Sequence, residues 1–198
     1  MTPAKSETAA LDGRTLYEFL TSSRRTDLIE AILIVLGGSA LLALSAKISV
    51  PFYPVPMTFQ PLAVVLIGAA FGPRLGGATV LAYLIEGAAG LPVFATGAGF
   101  AYMMGPTGGY LVGFLLAAIV VGALARRGWD RSPLTMAGAM IIGMAMIYIP
   151  GVLWLGTVIG WNKPLLSLGL TPFLLGDVLK VALGALMMPA AWHLARRQ

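Results

Sequence analysis

The chain has 198 residues, 58% of them hydrophobic and 11% charged, with a mean hydropathy of +0.87. A soluble domain carries about 25% charged residues, so this composition excludes a soluble enzyme, a disordered protein and a typical nucleic-acid binder. The net charge of +5 does not restore nucleic-acid binding, because the basic residues fall in short clusters between apolar runs, a pattern of membrane topology.

There is no cysteine and a single histidine, His193, so disulfides, zinc-thiolate sites, cysteine nucleophiles and a histidine-rich metal site are not expected. No cofactor is implied either. A Gly-x-x-x-x-Gly-Lys-Ser/Thr run is absent, so uphill movement of a solute would draw on an ion gradient or another subunit. Residues 1–27 hold eight of the 21 acidic and basic side chains. Glu18, Arg24, Arg25 and Asp27 interrupt this stretch, which argues against a signal peptide. The expected organisation is a cytoplasmic extension over 1–27 followed by a membrane domain over 28–198.

A helix needs about 20 apolar residues to cross the hydrocarbon core. The hydropathy pattern predicts six spans, at about 28–47, 59–72, 75–91, 106–126, 134–156 and 172–196. Pro51, Pro54 and Pro56 separate the first two, and Gly72-Pro73 connects the second to the third. A glycine-rich loop over 91–105, a charged turn over 126–133 and a loop over 161–171 make the remaining connections. Thr171-Pro172 reads as a capping hydroxyl with proline at the first helical position. The second span is short enough to be re-entrant instead. Charge parity favours six: Lys5, Arg14, Arg24, Arg25, Arg74, Arg126, Arg127, Arg131, Arg196 and Arg197 then share one side, against Lys47 and Lys163 on the other. The fold class is therefore an all-α integral membrane protein with six transmembrane helices and both termini cytoplasmic. In that topology spans two, four and six open outward, and their N-terminal N–H groups would favour an anion if they converged. The alternative is three separate exposed helix ends.

Asp177 and Lys180 are the costly residues. They lie within an apolar span at i, i+3 and share a helix face. A charge at the membrane centre costs about 2.5–3.5 kcal/mol on insertion scales. They read either as a buried ion pair that fixes packing or as the polar anchor of a ligand, with Asp177 accepting from N–H groups and Lys180 donating to an oxygen. Glu86, with Tyr83 three residues before it, either reaches water at the outer end of its span or pairs with Lys180 or Lys47. The run Gly105-Pro106-Thr107-Gly108-Gly109-Tyr110 either lets backbone N–H groups approach a ligand or forms a close helix-packing seam. Phe52, Tyr53 and Phe59 flank a proline-rich loop that ends at Gln60, and either cap a cavity or sit in the interfacial belt. Trp129 and Trp192 are expected in the inner belt, with His193 beside them, and the Met136, Met140, Met144 row reads as packing.

Four stretches carry a family resemblance: Pro54-Val55-Pro56-Met57-Thr58-Phe59-Gln60, Gly90-Leu91-Pro92-Val93-Phe94, Gly105-Pro106-Thr107-Gly108-Gly109-Tyr110-Leu111 with Gly113-Phe114, and Gly176-Asp177 with Lys180. In this order, across 28–196, the chain resembles the BioY family, the biotin-binding membrane subunits (S-components) of energy-coupling-factor vitamin transporters. The resemblance implies a six-helix bacterial inner-membrane protein that takes biotin from outside with high affinity. It would hand the vitamin inward with a transmembrane coupling subunit and two ATPases, although some BioY-like proteins occur without a dedicated coupling module. It also implies that Asp177 and Lys180 hold the ureido group, while the valerate carboxylate lies near Gly105, Thr107, Gly108 and Gly109, contacted by Tyr102 or by backbone N–H groups. Gln60, Tyr83 and Glu86 complete the candidate binding residues, and no catalytic residue is expected. S-components carry a small-x-x-x-small pattern on the first helix for docking. The nearest match here is Ser39-x-x-x-Ala43, a departure from the usual Ala-x-x-x-Ala. The charged stretch before Leu28 is longer than the family core needs, and reads as an amphipathic segment or as unstructured chain. The competing readings are a transporter for another small anionic solute and an intramembrane enzyme. The enzyme is the weaker, since an aspartyl protease needs two membrane aspartates and a Ser–His dyad would need His193, at the inner edge.

Overall fold

A computed structural model describes residues 13–21 and 27–197. Lys5, Arg24, Arg25 and much of the 1–27 extension therefore lie outside the described residues. The described chain starts with a one-turn helix, α1 (Leu16–Leu20), set by a capping box. The Glu18 N–H donates to Thr15 Oγ1 at 3.3 Å and the Thr15 N–H to Glu18 Oε2 at 3.0 Å. Helix α2 (Leu28–Lys47) follows. A two-residue antiparallel pair, β1 (Ser49–Val50) and β2 (Met57–Thr58), closes the proline-rich loop, whose Tyr53-Pro54 bond is cis.

Helix α3 (Gln60–Ala88) is broken at Gly72, where φ is 80° and ψ is 178°. That backbone conformation suits glycine, and Pro73 cannot donate an N–H across the break. The chain reverses there. The Gln60 amide donates to the Tyr83 hydroxyl at 2.7 Å, and a Cβ on Gly76 would lie 2.9 Å from Gly68 Cα. The two arms, 60–71 and 73–88, are thus antiparallel neighbours that meet where the sequence predicts the junction of spans two and three.

The remaining elements are α4 (Gly99–Met103), α5 (Gly108–Arg126), a 3₁₀ turn (Trp129–Arg131), α6 (Pro133–Ile159), α7 (Leu165–Gly169) and α8 (Thr171–Ala195). Helix α6 starts on a capped serine with proline at its first position, the Thr135 N–H donating to Ser132 Oγ at 3.4 Å. Both connections expected as loops, 91–105 and 161–171, contain a one-turn helix, α4 and α7. The predicted Thr171 cap is corrected. Leu170 is the N-cap, and the Thr171 hydroxyl donates backwards to the Leu166 carbonyl at 3.1 Å. Five helices among the described residues are long and apolar enough to cross a membrane: α2, α3, α5, α6 and α8.

Helix α5 packs between the α3 hairpin and α6, and small residues set the spacing. A Cβ on Gly68 would meet the Ala118 carbonyl at 2.6 Å, and one on Gly113 would meet Ile147 Cα at 2.6 Å. Such backbone approach supplies packing and weak hydrogen bonds where lipid removes the hydrophobic drive between helices. Met136, Met140 and Met144 are buried in this core, as the spacing predicts. The 60–71 arm runs along α5: Gln60 shares a cavity with Thr107 just before α5, while a Cβ on Gly72 would lie 3.4 Å from Arg126 Nε at its far end.

The far end is tied by polar contacts. Glu18 of α1 pairs with Arg126 at 2.6 Å, and Phe19 packs on Trp192 with centroids 5.4 Å apart. The extension thus contributes a docked helix. Trp192 departs from the belt expectation: it is 1% exposed, and its indole N–H donates to Asp130 Oδ2 at 2.5 Å. The Arg131 and Arg196 guanidinium groups sit over its ring at 5.1 and 5.8 Å. Burial pushes the Asp130 carboxyl up to about 6, against the opposing pull of Trp192 and the two arginines.

Candidate functional site

Helix α8 delivers Asp177 and Lys180 on one face, three residues apart, with Lys180 Nζ 2.8 Å from Asp177 Oδ1. Their side chains are only 8% and 5% exposed. The second carboxylate oxygen, Oδ2, accepts from the Tyr148 hydroxyl on α6. Phe173, one turn before Asp177, stacks on Tyr148 at 6.1 Å and 28°, and Tyr110 of α5 meets the same ring edge-on at 6.2 Å. The Tyr110 hydroxyl is anchored in turn on the Gly169 carbonyl at 2.8 Å.

The opposite wall comes from the α3 hairpin and the loop after it. Gln60 and Tyr83 are joined by their hydrogen bond, and the Tyr83 hydroxyl lies 3.2 Å from the Val93 carbonyl. Phe94 is fully buried, stacks on Tyr102 at 5.0 Å and 17°, and meets Tyr83 edge-on. Gly87 makes room for it, since a Cβ there would overlap the Phe94 ring. Lys47 Nζ holds the Phe94 carbonyl at 2.6 Å.

Between these walls lies a partly open cavity of about 50 Å³. Lys180, Gln60, Tyr83, Tyr102 and Thr107 line it, with Tyr148, Phe173, Phe94 and Tyr110. Tyr102 and Thr107 also border a second, open cleft, together with Gly105, Tyr53 and Phe52. Thr107 is the N-cap of α5, and no side chain caps that helix start. The lining therefore combines the Lys180 ammonium, compensated by Asp177 behind it, with aromatic walls and with Thr107, the residue before an uncapped helix N-terminus. That set of surfaces suits a small amphipathic solute with a neutral polar head, an apolar middle and an anionic tail.

Other candidates sit elsewhere. Asp177 reaches the cavity through its partners and does not itself line it. Glu86 accepts from the Ser39 hydroxyl, in place of either expected lysine. Gly108 and Gly109 face Met103, Trp154 and Pro150, whose atoms a Cβ would overlap, so they pack helices together. Ser39 is turned inward onto Glu86, and Ala43 packs against the core. No group of three or more His, Cys, Asp or Glu side chains suited to a metal occurs among the described residues.

Sequence reasoning missed Tyr148 and Phe173 and did not assign Phe94 or Tyr110 to the site. Tyr148 had a signal available: it is the one hydroxyl between Thr135 and Thr157 of an otherwise apolar helix, and a buried phenol in lipid needs a partner. Phe173 had none, since an apolar ring in a membrane helix faces lipid, core or cavity with equal ease, and Phe94, in the connection before α4, stood out only within the stretch Gly90-Leu91-Pro92-Val93-Phe94.

Comparison with known proteins follows the same lines. The chain is 40% identical over 144 residues to the "Probable biotin transporter BioY" of Pyrococcus horikoshii, covering 72% of this chain and 84% of that protein. It is 38% identical over 150 residues to the "Biotin transporter BioY" of Thermotoga maritima, covering 75% and 88%. A crystal structure of the S-component for biotin from an ECF-type ABC transporter superposes with a TM-score of 0.68 at 23% identity, over 86% of this chain and 92% of that one, and so shares the fold. A model of the BioY family matches residues 17–197; over nearly its whole length, the chain belongs to the BioY family.

Proposed function

We propose that the chain captures biotin from outside the cell with high affinity, as the substrate-binding subunit of an energy-coupling-factor transporter in a bacterial inner membrane. The observation that carries this reading is the buried Asp177–Lys180 pair, bonded to Tyr148, beside an aromatic cavity that Lys180 and Tyr148 line. Biotin matches the cavity group by group. Its ureido carbonyl can accept from Lys180 in the cavity wall, its two ureido N–H groups would turn to Asp177 directly behind Lys180 and Tyr148, its thiophane ring suits the aromatic walls, and its carboxylate would lie towards Thr107. Asp177 has acceptor capacity to spare, because a carboxylate offers about four lone-pair sites and two bonds are already made.

Six crossings with both termini cytoplasmic fit this role. The reversal of α3 at Gly72 supports six, since its two arms run side by side along α5. Arg14, Arg126, Arg131 and Arg196 gather at the Trp192 end, which supports a cytoplasmic assignment for that end. The 28–198 portion would be the vitamin-binding domain, with α1 a cytoplasmic addition docked beneath it. Transfer inward would use a transmembrane coupling subunit and ATPases, or proceed without that module where none is present. Docking would fall on the lipid-facing side of α2, where Gly37 and Ala40 are exposed, in preference to the inward-facing Ser39.

The test is mass spectrometry of small molecules released from protein purified without added vitamin, with binding of labelled biotin as a second measurement. Biotin is expected in the released fraction. Release of a different anionic solute, with no binding of labelled biotin, would overturn the reading in favour of another substrate.

A further inference from the structure

We infer that Tyr148 is a positioning residue that makes the Lys180 wall of the cavity select a neutral urea over a cationic guanidine. The inference rests on the urea reading of the Asp177–Lys180 pair. Asp177 carries a donor on each oxygen: Lys180 on Oδ1 and the Tyr148 hydroxyl on Oδ2. Lys180 alone would balance the charge but leave Oδ2 free to turn and to attract any further donor. Tyr148 removes that freedom. Its ring is stacked on Phe173 and met edge-on by Tyr110, whose own hydroxyl is fixed to Gly169. The phenol direction is therefore preset by α5 and the α7–α8 connection, and the carboxylate plane with it.

The chemical consequence is selectivity. With both Asp177 oxygens occupied and Lys180 lining the cavity, this wall offers ammonium donors and a weakened acceptor. A urea uses both, its carbonyl on Lys180 and its two N–H groups on the two remaining lone pairs of Asp177. A cyclic guanidinium of the same shape has no carbonyl, meets Lys180 with like charge, and needs the oxygen that Tyr148 holds. Loss of the hydroxyl would leave Oδ2 of Asp177 open to an N–H of the cation and shift the balance towards it.

The experiment compares biotin with 2-iminobiotin, whose ring is a guanidine, cationic at neutral pH, on the purified full chain. The native protein is expected to prefer biotin by at least about 100-fold, and Tyr148→Phe, which keeps the ring, to narrow that preference by about tenfold or more, the scale of one hydrogen bond to a charged group. A merely structural role would weaken both ligands alike, so an unchanged ratio in a folded variant overturns the inference while leaving the biotin reading intact. Native protein that binds neither ligand overturns the biotin reading and this inference with it. Should Tyr148→Phe fail to accumulate, Phe173→Leu, which removes the ring stacked on Tyr148 and frees the phenol to turn, is expected to narrow the ratio in the same direction, and an unchanged ratio there overturns the inference.

Discussion

Asp177 and Lys180 admit two roles, packing and ligand capture, and a double-mutant cycle separates them. The side chains are 8% and 5% exposed and 2.8 Å apart, so neither charge has water to fall back on except through the cavity. Lys180→Met removes the cation and leaves the carboxylate with Tyr148 alone, a loss of about 3–5 kcal/mol for a broken buried pair. Asp177→Asn leaves Lys180 facing the cavity, where water can reach it, and is expected to cost less, about 1–3 kcal/mol. In the double variant both charges are gone and the volumes are kept. Its stability should return to within about 1–2 kcal/mol of the native protein, because apolar or neutral replacements of a buried pair are close to neutral. Biotin affinity should not return. Each charge-assisted hydrogen bond to the ureido group contributes about 1.5–3 kcal/mol, so each single variant should bind at least about tenfold more weakly, and the double variant more weakly than either. Thermal unfolding in detergent reads the first quantity and titration calorimetry the second. A double variant that binds biotin as tightly as the native chain would show that the pair serves only to join α6 to α8.

Two further changes test the frame around the site. Asp130 is buried, and its carboxyl is pushed up from 3.8 to about 6, so the folded state holds the proton more tightly than the unfolded chain. Its contribution is then fully present below about pH 3.8 and is lost as pH rises through 6. Asp130→Asn, which still offers the Trp192 indole a carbonyl oxygen, should flatten this dependence and stabilise the protein at pH 8 by at most about 3 kcal/mol. A melting temperature that falls at pH 8 but holds at pH 5 would reverse that sign. Gly113→Ala places a methyl 2.6 Å from Ile147 Cα and 2.7 Å from its carbonyl, backbone that cannot rotate aside. The α5–α6 spacing must open, at about 1–3 kcal/mol; since Tyr110 and Tyr148 stand on those two helices, biotin binding should weaken alongside the melting temperature. Unaltered values of both would place the two helices farther apart than the structure has them.

Much of this protein was legible in its sequence because lipid leaves few solutions. Backbone groups without water must bond within a segment, so length and hydropathy alone located α2, α5, α6 and α8. The Gly72-Pro73 pair announced the reversal of α3, since only a residue free to take positive φ, followed by one without an N–H, breaks a helix so sharply. The cost of burying a charge singled out Asp177 and Lys180 without any coordinates. Tertiary structure alone settled which groups face one another. Gly108 and Gly109 became packing contacts, Ser39 turned onto Glu86, Trp192 left the interfacial belt for Asp130, and α1 docked under Arg126. Tyr148, Phe173 and Phe94 joined the site the same way. In each case the sequence carried the chemical capacity of the side chain but not which neighbour it would meet, near or far along the chain, and only the packed helices bring the two within reach.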